Sequence, residues 1–401
     1  MSEQSRVQAR KSGRAILSNS FRPFFLGGAL WAAVVVPLWV HASENGMALP
    51  SAFDPRHWHI HEMLFGQIAA IVTGFLFTAI PNWTGRLPIA GPPLGFLFLI
   101  WLAGRLAVLF GSVIGPWPTL FIDAAFLVTV FGLALREIAT GRNWRNLPVA
   151  GVVAAIASAN ILMLLGPATA WETGELGWRL GLSAVLLLIT LIGGRIVPSF
   201  TRNWLHARGV KTLPAPFATI DKLALASGGL ALVAFTIDVP GRVTGGLLLI
   251  ASAMHGLRLV RWQGMRTFAE PLVTILHLGY AWVPVGFAIL GLALLTDAPW
   301  RSAGVHALTA GAIGTMTLAV MTRASLGHTG HRLHAGPGTV AIYVLVTIGT
   351  MLRVAWALAT TATLPLLARA SPGLVYLLLA LLYGPILLGG ALAIFVNDIC
   401  E

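Results

Sequence analysis

An all-α, polytopic membrane bundle of about twelve helices is the fold class this sequence predicts, on three observations. Only 10% of the 401 residues are charged against 57% hydrophobic, and the mean hydropathy is +0.82. A soluble domain carries roughly 25% charged residues to cover its water-facing surface, so lipid must solvate this chain. Its apolar residues fall in continuous runs of about 20, the length a helix needs to cross the hydrocarbon, and do not alternate as barrel strands do. Basic residues also collect in alternate loops, which orients the spans.

Met1–Ser20 is polar and basic, with Arg6, Arg10, Lys11 and Arg14. It lacks an apolar run before a small-residue cleavage site, so residues 1–20 are expected to form a cytoplasmic segment ahead of an uncleaved first helix. Residues 21–401 are expected to form a single transmembrane domain. Its helices are placed at 22–42, 55–82, 93–113, 117–139, 146–168, 174–198, 217–237, 241–262, 271–295, 302–325, 338–360 and 372–397, joined by short loops rich in Gly, Pro and Asn. One side receives the N-terminal basic residues, Arg86, Arg136, Arg142, Arg145, Arg202, Arg208, Lys211, Arg258, Arg261, Arg266, Arg323 and Arg332. The other receives only Arg56, Arg179, Arg242, Arg301 and Arg369. Both termini are therefore expected in the cytoplasm. The net charge of +12 is spent on this asymmetry and does not indicate nucleic-acid binding.

A weak repeat appears every four helices. The second ends Ala79-Ile80-Pro81-Asn82-Trp83-Thr84, the sixth Ile196-Val197-Pro198-Ser199-Phe200-Thr201, and the tenth Ala319-Val320-Met321-Thr322-Arg323. Three groups of four helices are expected from it, as repeats are common in membrane folds.

The chain has one cysteine, Cys400. That excludes a disulfide framework, a Cys-x-x-Cys-His haem attachment and a thiolate metal site within one chain. A metal would need imidazole, thioether, phenol or carboxylate ligands. Eleven histidines are present, and ionisable residues inside a membrane are functional candidates by default.

The densest cluster is Asp54-Pro55-Arg56-His57-Trp58-His59-Ile60-His61-Glu62-Met63. Asp54 reads as an N-cap and Pro55 as the first helical residue. At α-helical spacing His59 and Glu62 point into the bundle, beside Gly66, Ala70 and Thr73. His57 and His61 then share an apolar face with Leu64, Ile68, Val72 and Phe75. That face meets either lipid or the flat side of an apolar cofactor. A histidine above an apolar wall suits a haem iron, while interfacial hydrogen bonding is the bland alternative. His306 heads an interior face of the tenth helix and is either a second ligand or a core imidazole bonded to a carbonyl. On the ninth helix His277 and Tyr280 share a face, with His255 at similar depth. The trio reads as a copper or proton site, or as a plain hydrogen-bonded cluster. His328, His331 and His334 lie in a Gly-rich loop after the tenth helix, where solvation or metal binding is open. Arg105 and Asp123 fall at similar depth and read as an ion pair. Arg105, Arg353 and Arg195 are alternatively anchors for haem propionates, which match a guanidinium fork. No P-loop, dinucleotide fingerprint or nucleophile elbow is present.

Several of these segments together resemble the NnrS family. They are His59-Ile60-His61-Glu62-Met63-Leu64-Phe65-Gly66, Leu276-His277-Leu278-Gly279-Tyr280, and His306-Ala307-Leu308-Thr309-Ala310-Gly311 with Met321 to Gly330 after it. The resemblance covers nearly the whole chain. It implies a bacterial inner-membrane protein containing haem b and copper, linked to nitric oxide metabolism, denitrification and nitrosative stress. By motif position it carries His59, His61, His277, His306 and His328 as metal-ligand candidates; His59, His61 and His306 would then hold haem or metal, and Arg105 and Arg353, read from their depth alone, would hold the propionates. Twelve helices with histidines on the second and tenth also resemble subunit I of the haem–copper oxidases and nitric oxide reductases, although their adjacent His pair on helix 7 is missing.

The function expected is a redox protein that binds nitric oxide and reduces or detoxifies it, resembling a nitric oxide reductase. Its electrons come from an unidentified donor. Glu62 and Tyr280 are the catalytic candidates, Glu62 as orienter of an imidazole or proton relay. A transporter of a metal complex or small solute, and a haem-based nitric oxide sensor without turnover, are the alternatives.

Overall fold

In a computed structural model, residues 15–169 and 171–361 are described, and helices dominate them, with no strand among the described residues. Among the described residues, eleven helices are long and apolar enough to cross a membrane. They are α1 (Phe21–Asn45), α2 (Pro55–Thr84), α3 (Pro92–Leu109), α4 (Pro116–Thr140), α5 (Leu147–Ala168), α6 (Gly174–His206), α7 (Thr219–Thr236), α8 (Gly241–Val260), α9 (Pro271–Leu295), α10 (Arg301–Thr329) and α11 (Pro337–Thr361). The expected twelfth helix at 372–397, Arg369 and Cys400 lie outside the described residues, as do residues 1–14. Proline opens α2, α3, α4, α9 and α11, where its missing N–H costs nothing and its fixed φ starts the helix.

The chain forms two compact units, one up to Gly181 and one from Leu182. In the first, α2 packs against α1, α3 and α4. Phe24 and Phe25 of α1 close on Gly74, where a Cβ would lie 2.9 Å from the Phe25 ring. Small residues permit such approaches where lipid offers no hydrophobic drive between helices. In the second unit α9 is the centre, flanked by α8 and α10, and α11 packs on α10. Gly279 and Gly286 let α10 sit against it, beneath Met316 and Leu308.

Two departures from the expected helices matter for the histidines. Helix α10 runs to Thr329, so His328 lies in its last turn, not in a loop. Thr329 Oγ1 donates to Ser325 O, and the left-handed Gly330 closes the end. Helix α6 continues past Pro198 to His206, which brings Thr201 into a helix.

The larger departure is that α2 and α10 are not α-helical throughout. Glu62–Ile68 and Ala307–Gly314 are π-helical. A π-turn bonds i to i+5 and spreads side chains more closely around the axis than the α-turn does. The α-spacing that put His61, Leu64 and Ile68 on an outward face therefore fails. All three are buried, His61 completely.

Candidate functional site

Helix α2 starts as its sequence dictates. Asp54 accepts from the amides of Arg56 (2.9 Å) and His57 (3.1 Å), and its second oxygen is bonded by the His57 ring. Partial burial alone would raise the Asp54 carboxyl pKa. The His57 side-chain bond and the two amides outweigh it and hold the pKa below the usual 3.8. Arg56 and His57 reach Glu175 at the start of α6, at 2.9 and 3.3 Å. His57 is therefore engaged by two carboxylates. His59 stacks on Trp39 of α1, ring centroids 4.3 Å apart.

One turn on, the first unit holds a sealed polar cluster built from five helices. Glu62 Oε2 accepts from the Trp31 indole (2.5 Å) and Arg105 Nη1 (2.7 Å), while Oε1 faces His61 Nδ1 at 3.1 Å. The other Arg105 nitrogen donates to Asp123 Oδ1. Asp123 Oδ2 accepts from Asn160 Nδ2 (2.9 Å) and lies 3.4 Å from His61 Nε2. His61 Nε2 also sits 2.8 Å from the Asn160 carbonyl oxygen. His61, Glu62, Arg105, Asp123 and Asn160 are at most 1% exposed. Buried charge is tolerable only when paired and hydrogen-bonded, and both carboxylates here have partners on each oxygen. The π-turn makes room for this, and the Trp101 indole donates to the Gly66 carbonyl within it at 2.9 Å. A Cβ on Gly66 would meet Arg105, Glu62 and Trp31 at 2.7 to 3.0 Å.

The expected Arg105–Asp123 pair is thus present, and Glu62 points inward as expected. His61 points inward with it, against the expected outward face. Trp31 and Asn160 were not anticipated, since a lone polar residue in an apolar helix gives no sequence signal.

The second unit holds a different cluster. Tyr280 OH lies 2.8 Å from His255 Nδ1 and accepts from Arg258 Nη1 at 2.9 Å. Arg258 also donates to the Thr190 carbonyl and to Asp221, each at 3.0 Å, and Arg261 takes the other Asp221 oxygen at 3.0 Å. With Arg258 donating to it, the phenol spends its single proton on His255 Nδ1. The expected grouping of Tyr280, His277 and His255 resolves differently: His255 meets Tyr280, while His277 meets Thr201. Thr201 Oγ1 donates to the Val197 carbonyl (2.8 Å) and so accepts from His277 Nε2 (2.8 Å). That fixes the lone pair on His277 Nδ1, a buried atom without a hydrogen-bond partner that faces Gly264, where a Cβ would lie 2.6 Å away.

His306 shows the same kind of fixed tautomer. Its Nδ1 is 2.7 Å from the Ser302 carbonyl of its own helix, so Nδ1 carries the proton. Nε2 is then the lone-pair nitrogen, and Arg353 Nη2 approaches it at 3.0 Å. His328 is exposed at the end of α10. Among the described residues no three His, Cys, Asp or Glu side chains converge as a metal-binding group.

The membrane-length helices define a multi-pass membrane protein, with histidines buried among them. Within that class the NnrS protein family matches residues 15–390, and the chain belongs to it. No curated protein matches the chain.

Proposed function

We propose that this protein binds haem b and copper in the bacterial inner membrane, with both termini cytoplasmic. In this reading it binds nitric oxide and reduces or detoxifies it with electrons from a separate carrier. Membership of the NnrS family supports a membrane protein of the nitric oxide response. The observation that carries the haem assignment is His306. Ligating imidazoles donate their other ring N–H to a carbonyl or carboxylate, which fixes ring and tautomer. His306 does so toward Ser302 and turns its lone pair toward Arg353.

Here Arg353 is the propionate anchor, because its planar fork matches a carboxylate. His277, held by Thr201 with its lone pair on Nδ1, is the second imidazole suited to a metal. A single axial imidazole fits these residues better than a multi-ligand copper centre does, since no three ligand side chains converge among the described residues. Haem b would be held by His306 and Arg353, and its iron would supply the chemistry for binding nitric oxide. Ser302 orients His306, and Arg353 places positive charge beside it.

The test is metal analysis with absorption spectra of the purified protein in detergent: oxidised, reduced, and reduced with nitric oxide. About one haem b per chain, a nitric-oxide-dependent spectral shift and loss of the haem in His306→Ala are expected. Colourless, metal-free protein after haem supplementation would overturn the reading and favour a transporter.

A further inference from the structure

Helices α2 and α10 match position by position at a constant displacement of 245 residues: His61 and His306, Gly66 and Gly311, Ile68 and Ile313, Thr84 and Thr329, Gly85 and Gly330. The match runs on without a gap into the next helix, through Ala90-Gly91-Pro92 and Ala335-Gly336-Pro337 to Gly104 and Gly349. The backbone repeats with it. Each π-segment begins on the residue after the histidine, at Glu62 and Ala307. Each helix ends on a left-handed glycine, Gly85 with φ 70° and Gly330 with φ 85°.

The preceding helices agree as well. Gly28-x-x-Trp31 in α1 corresponds to Gly279-x-x-Trp282 in α9. Trp31 lies 3.0 Å from where a Gly66 Cβ would stand, and Trp282 lies 2.6 Å from where a Gly311 Cβ would stand. Chance likeness among apolar helices does not place a π-turn, its glycine and the tryptophan over it at equivalent positions.

We infer that α1–α3 and α9–α11 are two copies of one His–π-turn module. In the first copy His61 has become the second cation of a sealed, charge-balanced cluster, and in the second His306 remains the ligand-type imidazole. The difference lies in few residues. The position after the histidine is Glu62 in one copy and Ala307 in the other, and the position of Arg105 corresponds to Thr350. Both His61 ring nitrogens face oxygens, Nδ1 the Glu62 carboxylate and Nε2 the Asn160 carbonyl and Asp123 carboxylate. Both nitrogens must then carry protons. His61 and Arg105 balance Glu62 and Asp123, and no ring lone pair is left for a metal. The residues around His61 therefore do not fit a metal ligand, whereas His306 keeps a lone pair on Nε2, which a metal would take over from the Arg353 N–H that now donates to it at 3.0 Å. The second half of this inference rests on the haem and copper reading above; the first half does not.

The test uses the full chain in detergent, with folded monodisperse yield and metal per folded chain as separate readouts. His61→Gln keeps the size but removes the positive charge, leaving two buried carboxylates against one guanidinium. Folded yield is expected to fall at least about tenfold, as when a buried ion pair loses one partner. Adding Glu62→Gln restores neutrality and should recover most of that yield, with wild-type metal per folded chain. His306→Ala should fold and lose its metal. A double variant that folds no better than His61→Gln overturns the charge-balance assignment. A double variant that folds but loses metal as His306→Ala does makes His61 a ligand and overturns the division of labour. A metal-free wild type refutes the haem reading alone, because the yield comparison still decides the role of His61.

Discussion

The polar cluster of the first unit and that of the second both bury arginine against aspartate, but they distribute charge differently. In the first, one guanidinium serves two carboxylates, Glu62 and Asp123, with His61 closing the set. In the second, one carboxylate, Asp221, is shared by Arg258 and Arg261, and Arg258 has the Tyr280 hydroxyl and Thr190 carbonyl as well. The first cluster has no spare cation, whereas the second has a redundant one. A single loss should be intolerable in the first and partly absorbed in the second.

Arginine removal tests this most strongly. Arg105→Leu leaves two buried carboxylates without a guanidinium and should cost about 3–5 kcal/mol, read as collapse of folded yield and thermal stability. Arg258→Leu leaves Asp221 with Arg261 and should cost about half as much. Equal losses would break the comparison. Next is Gly66→Ala, whose Cβ would press on Arg105, Glu62 and Trp31 together. A thermal-unfolding loss of about 1–3 kcal/mol is expected. Gly132→Ala in α4, with nothing within 4 Å, is the matched control and should show no loss. Tyr280→Phe removes one hydroxyl and strands His255 Nδ1, at about 1–2 kcal/mol, with folded yield largely kept.

The smallest effect lies outside both clusters, at Asp54. Asp54→Ala removes the N-cap of α2 and should cost about 1 kcal/mol. Because the folded pKa of Asp54 is lowered, its contribution is present above the unfolded value of 3.8 and is lost as pH falls through the folded pKa. A wild-type minus variant stability difference that grows on acidification would contradict this.

The sequence made the helices legible because apolar length is a strong signal, and Asp54-Pro55 marked the start of α2. Depth along the helices was enough to pair Arg105 with Asp123. The rest of the clusters was hidden for identifiable reasons. Trp31 and Asn160 are uncharged and alone in apolar surroundings, so nothing in the chain flags them before the helices are assembled, and Thr201 stands out only as the end of a repeated segment, not as a partner of His277. The inward turn of His61 depends on a π-segment, and no residue type in Glu62–Ile68 announces one. His277 and Tyr280 share a face as the spacing says, but they take partners on different helices, Thr201 on α6 and His255 on α8. The endings that the sequence suggested matched Thr84 with Thr322, not with Thr329, so the common register of α2 and α10 shows only when the two π-turns are set side by side.

The five-helix origin of the first cluster also bears on how the chain enters the membrane. Glu62 arrives on α2, Arg105 on α3, Asp123 on α4 and Asn160 on α5. A charged side chain at the centre of an isolated helix costs about 2.5–3.5 kcal/mol at insertion. None of α2, α3 or α4 is therefore comfortable in lipid by itself. The neutral sum exists only once α4 has been synthesised, and the cluster's last hydrogen bonds come with Asn160 on α5. The first five helices should accordingly leave the translocon as a group, with α2 sheltered until α5 arrives and Asn160 completing the last bond.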